Sequence, residues 1–217
     1  EKMKVGVAGL VPFAVGFLIV ALTAGVMATA REPMIVVLGD SLAAGLGLPQ
    51  DQSFPAQLEK ALKAKGQDVR IANAGVSGDI AANGLDRFDW AVPQEADAVI
   101  VELGANDALQ GLPPQATKKA LEEILKRLQA RGVPVLLAGM EAPRNMGKEY
   151  VEEFSAVYRD LAARYDVVFY PFFLEAIVSD TSLFLPDGLH PNAQGVARIV
   201  DGIMPKVEEL LAKIPPK

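Results

Sequence analysis

The chain has 217 residues, a formal net charge of −6 and no cysteine. Its length suits one domain whose core is large enough to fold without disulfides. The lack of cysteine excludes thiol nucleophiles, cysteine-based zinc sites and iron–sulfur clusters, and an acidic chain without clustered lysine and arginine argues against nucleic-acid binding.

The first predicted element is an uncharged, strongly apolar stretch, residues 5–30, which follows Lys2 and Lys4. Two interpretations are open: a secretory signal peptide with Ala28-Thr29-Ala30 as its cleavage site, which we favour, or an anchor that stays in the membrane. In both cases the amino-terminal positive charge predicts an extracytoplasmic protein, periplasmic or secreted. Membrane contact through residues 5–30 is expected if they are retained.

From residue 34 onward, short apolar runs rich in β-branched residues alternate with segments that have apolar residues at helical spacing. This alternation predicts an α/β protein, a three-layer α/β/α sandwich around a parallel sheet of about five strands, each apolar on both faces. The predicted strands are 34–39, 69–74, 97–104, 133–139 and 166–170, and the predicted helices are 54–66, 115–132, 149–165 and 191–213.

Small and polar residues follow the first three predicted strands. They are Gly39-Asp40-Ser41 after the first strand, Ser77-Gly78-Asp79 after the second and Gly104-Ala105-Asn106-Asp107 after the third. Because ligands of open α/β sheets bind beyond the carboxyl ends of the strands, we expect the functional groups at this edge.

His190 is the only histidine of the chain, and Asp187 precedes it by three residues. At that spacing the Asp187 carboxylate can accept the Nδ1–H of His190 and leave Nε2 free to take a proton from a serine hydroxyl. Ser41 is the strongest nucleophile candidate. The alternatives are that Ser41 only caps the following helix and that His190 is a surface residue.

Other motifs exclude competing functions. The segment GDSLAAGLG has neither the Lys-Ser/Thr of a phosphate-binding loop nor the spacing of a dinucleotide-binding loop, and Ala43 replaces the second glycine of a G-x-S-x-G elbow. One histidine without cysteine does not provide the usual ligand set of a zinc site, so we expect no metal. We interpret Asp40 and Asp79 as positioning residues, whereas Gly78 and Asn106 are either functional or ordinary turn residues.

Four short motifs together resemble the four blocks of the GDSL, or SGNH, hydrolase family, in the same order and at fitting distances. The resemblance is greatest to the bacterial periplasmic branch of thioesterases, lysophospholipases and arylesterases, and it defines residues 31–217 as one hydrolase domain. The motifs are Gly39-Asp40-Ser41-Leu42, Gly78, Asn106 and Asp187-x-x-His190.

The resemblance implies a flavodoxin-like fold in which Ser41 is the nucleophile, His190 the base and Asp187 the group that orients it. It also implies an oxyanion hole formed by the backbone N–H groups of Ser41 and Gly78 and the side-chain amide of Asn106. The chain departs from its branch at Ala105, where the relatives have glycine.

Acyl transfer requires a nucleophile, a base and donors to an oxyanion, and the sequence places all three at one edge. We therefore expect an esterase, thioesterase or lysophospholipase that forms an acyl-enzyme on small ester, thioester or lysolipid substrates with apolar groups, without a cofactor. The alternatives are a carbohydrate O-acetylesterase and a flavin- or nucleotide-binding module. Leu109, Leu112, Pro113 and Met146 are predicted to form an apolar pocket, or else ordinary loop packing.

Overall fold

A computed structural model of the chain describes residues 2 and 31–215; the predicted signal or anchor segment therefore lies outside the described residues apart from Lys2. Within the described part, no helix combines the length and the apolar character needed to cross a bilayer. In residues 31–215, five strands form one sheet in the order β2-β1-β3-β4-β5, and all neighbours are parallel. They are β1 (Met34–Gly39), β2 (Arg70–Gly75), β3 (Ala98–Glu102), β4 (Val135–Ala138) and β5 (Val168–Tyr170).

Helices connect the strands and cover the sheet. Helix α8 packs against α2, β4 and β5, while α6 packs against α3 and α7. The predicted three-layer α/β architecture is confirmed. The helices are α1 (Ser41–Ala44), α2 (Phe54–Ala64), α3 (Ala81–Asp86), α4 (Phe88–Ala91), α5 (Ala105–Leu109), α6 (Pro114–Ala130), α7 (Lys148–Arg164) and α8 (Ala193–Ala212).

The strands differ in burial because of their positions in the sheet. All residues of β1, β3 and β4 are buried, as expected for strands covered on both faces. In β2, by contrast, Ile71 is the one residue that is buried. The expectation that every strand is apolar on both faces is therefore wrong for β2, which lies at an edge of the sheet.

The strand order creates a crevice above the carboxyl ends of β1 and β3. The chain leaves β1 for β2 on one side and then returns to β3 on the other side, so β1 and β3 are neighbours with Gly39 opposite Glu102. Such reversals are where α/β sheets bind ligands. This topology brings together the segments that follow β1, β2 and β3.

Candidate active site

Ser41 is the first residue of α1, directly after the turn that ends β1. Asp40 occupies the capping position, and its Oδ1 accepts the N–H of Leu42 at 2.9 Å. The capping role considered for Ser41 therefore belongs to Asp40. The Ser41 hydroxyl is left to point elsewhere, and only 7% of the residue is exposed.

The Ser41 hydroxyl begins a chain of hydrogen bonds through His190 to Asp187. Ser41 Oγ lies 2.9 Å from His190 Nε2, and His190 Nδ1 lies 2.7 Å from Asp187 Oδ2. Asp187 Oδ1 accepts the backbone N–H groups of His190 and Leu189 at 3.0 and 2.9 Å. These bonds, foremost that from the His190 N–H, lower the pKa of Asp187 from 3.8 to about 2. The ionised carboxylate favours the tautomer with hydrogen on Nδ1, which leaves Nε2 free to accept the hydroxyl proton.

The loop that carries this pair is fastened to the start of α8. The N–H of Leu185 donates to the His190 carbonyl at 2.7 Å, and Phe184 forms an isolated β-bridge with Pro191. Asn192 caps α8 through its side-chain oxygen, while its Nδ2 donates to the carbonyl of Ser182 at 2.8 Å. The His-Pro-Asn sequence thus fixes the position of the imidazole through the backbone on both sides.

Asn106 comes to the same crevice from the start of α5. Its Nδ2 donates to the Asp79 carbonyl at 2.9 Å and to Asp40 Oδ2 at 3.2 Å, which ties together the segments after β1, β2 and β3. Gly78 is exposed and has a φ of +90°, a backbone conformation that favours glycine. The structure thus holds Asn106 close to the turn that carries Ser41, with Gly78 next to its Asp79 acceptor.

The residue that departs from the family pattern, Ala105, lies in the ordinary helical backbone of α5. The preceding Gly104 is the position that requires glycine, since its φ is +115° and a Cβ there would lie 2.0 Å from the Tyr158 hydroxyl. Alanine at position 105 therefore introduces no backbone strain.

Asp79 and Asp40 are both held in place below the site. Arg87 Nε donates to Asp79 Oδ2 at 2.6 Å, and its Nη2 donates to the Gly39 carbonyl at 2.8 Å, so this buried pair joins the ends of β1 and β2. Burial raises the pKa of Asp40 from 3.8 to about 6. The positioning interpretation of both aspartates agrees with these contacts. Arg87 was not identified from the sequence, because nothing local marks it as a partner of a residue eight positions away.

Asp107 is a further structural residue that the sequence did not single out. Its side chain is buried, and its carboxylate accepts the N–H of Ala81 and the hydroxyl of Thr117, each at 2.8 Å. These bonds hold α3, α5 and α6 together around Asn106. A polar residue next to Asn106 in the same short motif was the available signal.

A cavity of about 740 Å³ opens beside the Ser41 hydroxyl and has a largely apolar wall. Of the four predicted wall residues, Leu109 lines it. Most of the remaining wall comes from the segments after β4 and β5. Residues 144–150, after β4, are a predicted wall segment, and Arg144 lines the cavity, whereas the segment after β5 was not identified from the sequence. The lining residues besides Leu109 include Ser41, Asn106, His190, Met140, Ala142, Pro143, Phe172, Leu174, Val178, Phe184 and Leu189.

The other three predicted wall residues, Leu112, Pro113 and Met146, do not line this cavity. The carbonyl of Leu112 accepts the Tyr150 hydroxyl at 2.8 Å, and the Met146 methyl group would lie 3.0 Å from a Cβ on Gly111. Leu112 and Met146 therefore lie against neighbouring residues of their own surroundings, as in the alternative of ordinary loop packing. The structure thus places one of the four predicted wall residues, Leu109, at the cavity beside Ser41.

The comparisons with known proteins agree with the geometry. The chain matches the GDSL-like lipase/acylhydrolase family over residues 37–198. It is similar to esterase TesA of Pseudomonas aeruginosa, with 38% identity over 183 residues that cover 84% of this chain and 91% of the relative. It is also similar to thioesterase 1/protease 1/lysophospholipase L1 of Escherichia coli K12, with 35% identity over 183 residues that cover 84% of this chain and 86% of the relative. The crystal structure of AlinE4, an esterase of the SGNH-hydrolase family, shares 44% identity with a TM-score of 0.71 and covers 83% of this chain and 97% of that one.

Proposed function

Since the chain belongs to the GDSL-like lipase/acylhydrolase family and is a serine hydrolase of ester bonds, we propose that Ser41, His190 and Asp187 perform the hydrolysis through an acyl-enzyme. The observation that supports these roles is the continuous hydrogen-bonded chain from Ser41 Oγ to His190 and Asp187, with distances of 2.9 and 2.7 Å. A serine hydroxyl becomes nucleophilic when such a base is in hydrogen-bond reach.

In the acylation step, His190 Nε2 takes the proton of Ser41 Oγ while Oγ forms a bond to the carbonyl carbon of the ester. The negative Asp187 stabilises the imidazolium that results. When the tetrahedral intermediate collapses, the bond to the alcohol or thiol breaks, and Nε2 returns its proton to that leaving group. Water then attacks the acyl group by the same route, releases the carboxylic acid and restores Ser41.

The oxyanion of the tetrahedral intermediate would be stabilised by the N–H groups of Ser41 and Gly78 and the amide of Asn106. The positive φ of Gly78 and the two hydrogen bonds that fix Asn106 support this assignment. Donors that are fixed before the reaction stabilise developing charge without a reorganisation cost. Of the two hydrogen bonds that Asn106 Nδ2 donates, the one to Asp40 Oδ2 is the longer, at 3.2 Å. An oxyanion would compete with Asp40 for this N–H.

The small-molecule substrate would be an ester, thioester or lysolipid with an apolar acyl or aryl group. A cavity of about 740 Å³ beside Ser41, with Leu109, Met140 and Phe172 among its lining residues, has more apolar space than an acetyl group fills. This supports longer acyl groups over the acetyl groups of a carbohydrate O-acetylesterase.

The central experiment compares Ser41→Ala with Ser155→Ala. Ser155 lies on α7, away from the cavity, and is a matched control. With p-nitrophenyl esters, Ser41→Ala should lower kcat by about 10⁴ or more, and the control should stay close to wild type. Folded Ser41→Ala protein that keeps its esterase activity would refute the assignment.

Substrate range is tested by kcat/KM on p-nitrophenyl esters from acetyl to palmitoyl, together with one acyl-CoA and one lysophospholipid. Rates should rise from acetyl to medium-chain esters as more apolar surface is buried in the cavity. A maximum at acetyl would favour the O-acetylesterase instead.

We also propose that the hydrolase domain acts outside the cytoplasm and that residues 5–30 carry it to the membrane. The support is the uncharged stretch that follows Lys2 and Lys4. Fractionation of bacterial cells that express the chain, with amino-terminal sequencing of the product, tests this. Activity confined to the cytoplasmic fraction would contradict it, and the amino-terminal sequence distinguishes cleavage from retention.

A further inference from the structure

Glu102 is a fully buried carboxyl group directly below the turn that carries Ser41, and the proposed reaction does not use it. It is the last residue of β3 and lies opposite Gly39, the last residue of β1. Its Oε2 accepts the backbone N–H of Asp40 at 3.3 Å. This hydrogen bond attaches the end of β3 to the peptide group immediately before the nucleophile.

The side chain of Glu102 also occupies the space beside Gly39. A Cβ on Gly39 would lie 2.4 Å from Glu102 Oε2 and 2.6 Å from the Ala43 side chain. Any side chain at position 39 would therefore displace either the carboxyl group or α1. The glycine of the Gly39-Asp40-Ser41 motif thus makes room for a carboxyl group from the neighbouring strand.

The surroundings of Glu102 do not suit a negative charge. Among the described residues, Oε1 has no hydrogen-bond partner of good geometry, although the backbone N–H of Ala43 also approaches the carboxyl group. The guanidinium of the nearby Arg87 is hydrogen-bonded to Asp79 and to the Gly39 carbonyl. The titratable neighbours are Asp40, itself a buried acid, and Tyr158, whose hydroxyl donates to the Leu103 carbonyl. Burial, followed by the proximity of Asp40, raises the pKa of Glu102 well above its ordinary value.

We propose that Glu102 is a positioning residue that remains a neutral carboxylic acid and supports the Asp40–Ser41 turn from below through the Asp40 N–H. This inference rests on the proposed role of Ser41 as nucleophile. A neutral acid leaves one buried polar atom without a partner, whereas a buried unpaired carboxylate costs considerably more free energy. Neutrality is therefore the state that burial favours, and the carbonyl oxygen alone provides the acceptor that the turn requires.

The test compares Glu102→Gln with Glu102→Leu. Glutamine keeps the shape and the neutral acceptor, so Glu102→Gln should retain at least about a third of wild-type kcat and have the same pH dependence of kcat/KM from pH 5 to 9. Leucine removes the acceptor, so kcat should fall by about 10- to 100-fold with little change in KM, because small displacements of a nucleophile have effects of that size. The control is Glu153→Leu, which replaces an exposed glutamate on α7 and should resemble wild type.

Thermal melting shows whether each variant is folded. Titration of Ser41 with a p-nitrophenyl phosphate triester then gives the concentration of competent enzyme. The proposal is overturned if Glu102→Leu retains wild-type kcat, because the acceptor would then not matter. It is also overturned if Glu102→Gln loses as much activity as Glu102→Leu or shifts the pH profile, because either result would show that the carboxylate charge is required. The pH profile of Glu102→Gln decides the matter even if Glu102→Leu does not fold. Failure of the proposed function would appear separately, as activity that survives Ser41→Ala.

Discussion

Replacement of Asp187 by asparagine should abolish most of the activity while preserving the loop. Asp187 Oδ1 accepts two backbone N–H groups, from Leu189 and His190, and Oδ2 accepts the Nδ1–H of His190. The asparagine oxygen can keep the two backbone bonds, but its NH₂ group then faces Nδ1. The imidazole must respond by moving its proton to Nε2, which prevents Nε2 from accepting the proton of Ser41.

The size of the effect follows from the alternative orientation of the amide. If the asparagine turns its oxygen toward Nδ1, it loses both backbone hydrogen bonds, each of which contributes about 1 kcal/mol. A free-energy cost of about 2–3 kcal/mol leaves only about 1% to a few per cent of the enzyme molecules with the amide in the productive orientation. The loss of the negative charge beside the imidazolium lowers kcat further, because hydrogen bonds to charged groups are about twice as strong as neutral ones. We therefore expect kcat to fall by about 10²–10³.

The assay is kcat on a p-nitrophenyl ester, together with the melting temperature of the same preparation. Asp180→Asn is the matched control, because Asp180 Oδ1 likewise accepts a backbone N–H two residues later, that of Ser182, at 3.0 Å, yet does not contact the imidazole. It should keep near wild-type kcat. A folded Asp187→Asn enzyme within tenfold of wild type would refute the tautomer argument and place the orienting role on another group.

Two other predictions concern Asn106 and Asp40. Asn106→Ala should lower kcat by about 10²–10³ with little change in KM, because the Asn106 amide donates to the oxyanion. A lower melting temperature with unchanged kcat would remove Asn106 from the catalytic set. The ionised Asp40 carboxylate destabilises the fold above its raised pKa of about 6, and that destabilisation is lost as the pH falls toward the ordinary value of 3.8. In urea unfolding, the free energy of unfolding should therefore fall by about 2 kcal/mol more between pH 4 and pH 7 for wild type than for Asp40→Asn. Equal pH dependence of the two proteins would contradict this.

The strands and long helices were predictable because their signals are local. Residues 34–39 form β1 with the predicted bounds, and the ends of the four long helices lie within two residues of the predicted ones. The short helices α3 and α4 were missed, since four to six residues are too few to show helical periodicity.

The pocket and its support were less predictable. Leu109 lines the cavity and Leu112 does not, although Leu109 ends α5 and Leu112 lies only three residues further on. Which of them faces the substrate depends on how the segments after β4 and β5 fold over that loop. Glu102 lies inside the predicted strand 97–104, and nothing in the sequence marks it. Only its register opposite Gly39 brings its carboxyl group to the Asp40 N–H.

The sequence by itself determined the fold class, the residue types available for the chemistry and the order in which they follow the strands, because periodicity and short motifs depend on neighbours a few positions apart. The tertiary structure alone decided that Ser41 Oγ lies 2.9 Å from His190 Nε2, across a separation of 149 residues. That contact depends on the crossovers that place β1 beside β3 and on the docking of α8 that fixes the His190 loop. Side-chain distances of this kind result from packing between distant segments, which no local pattern contains.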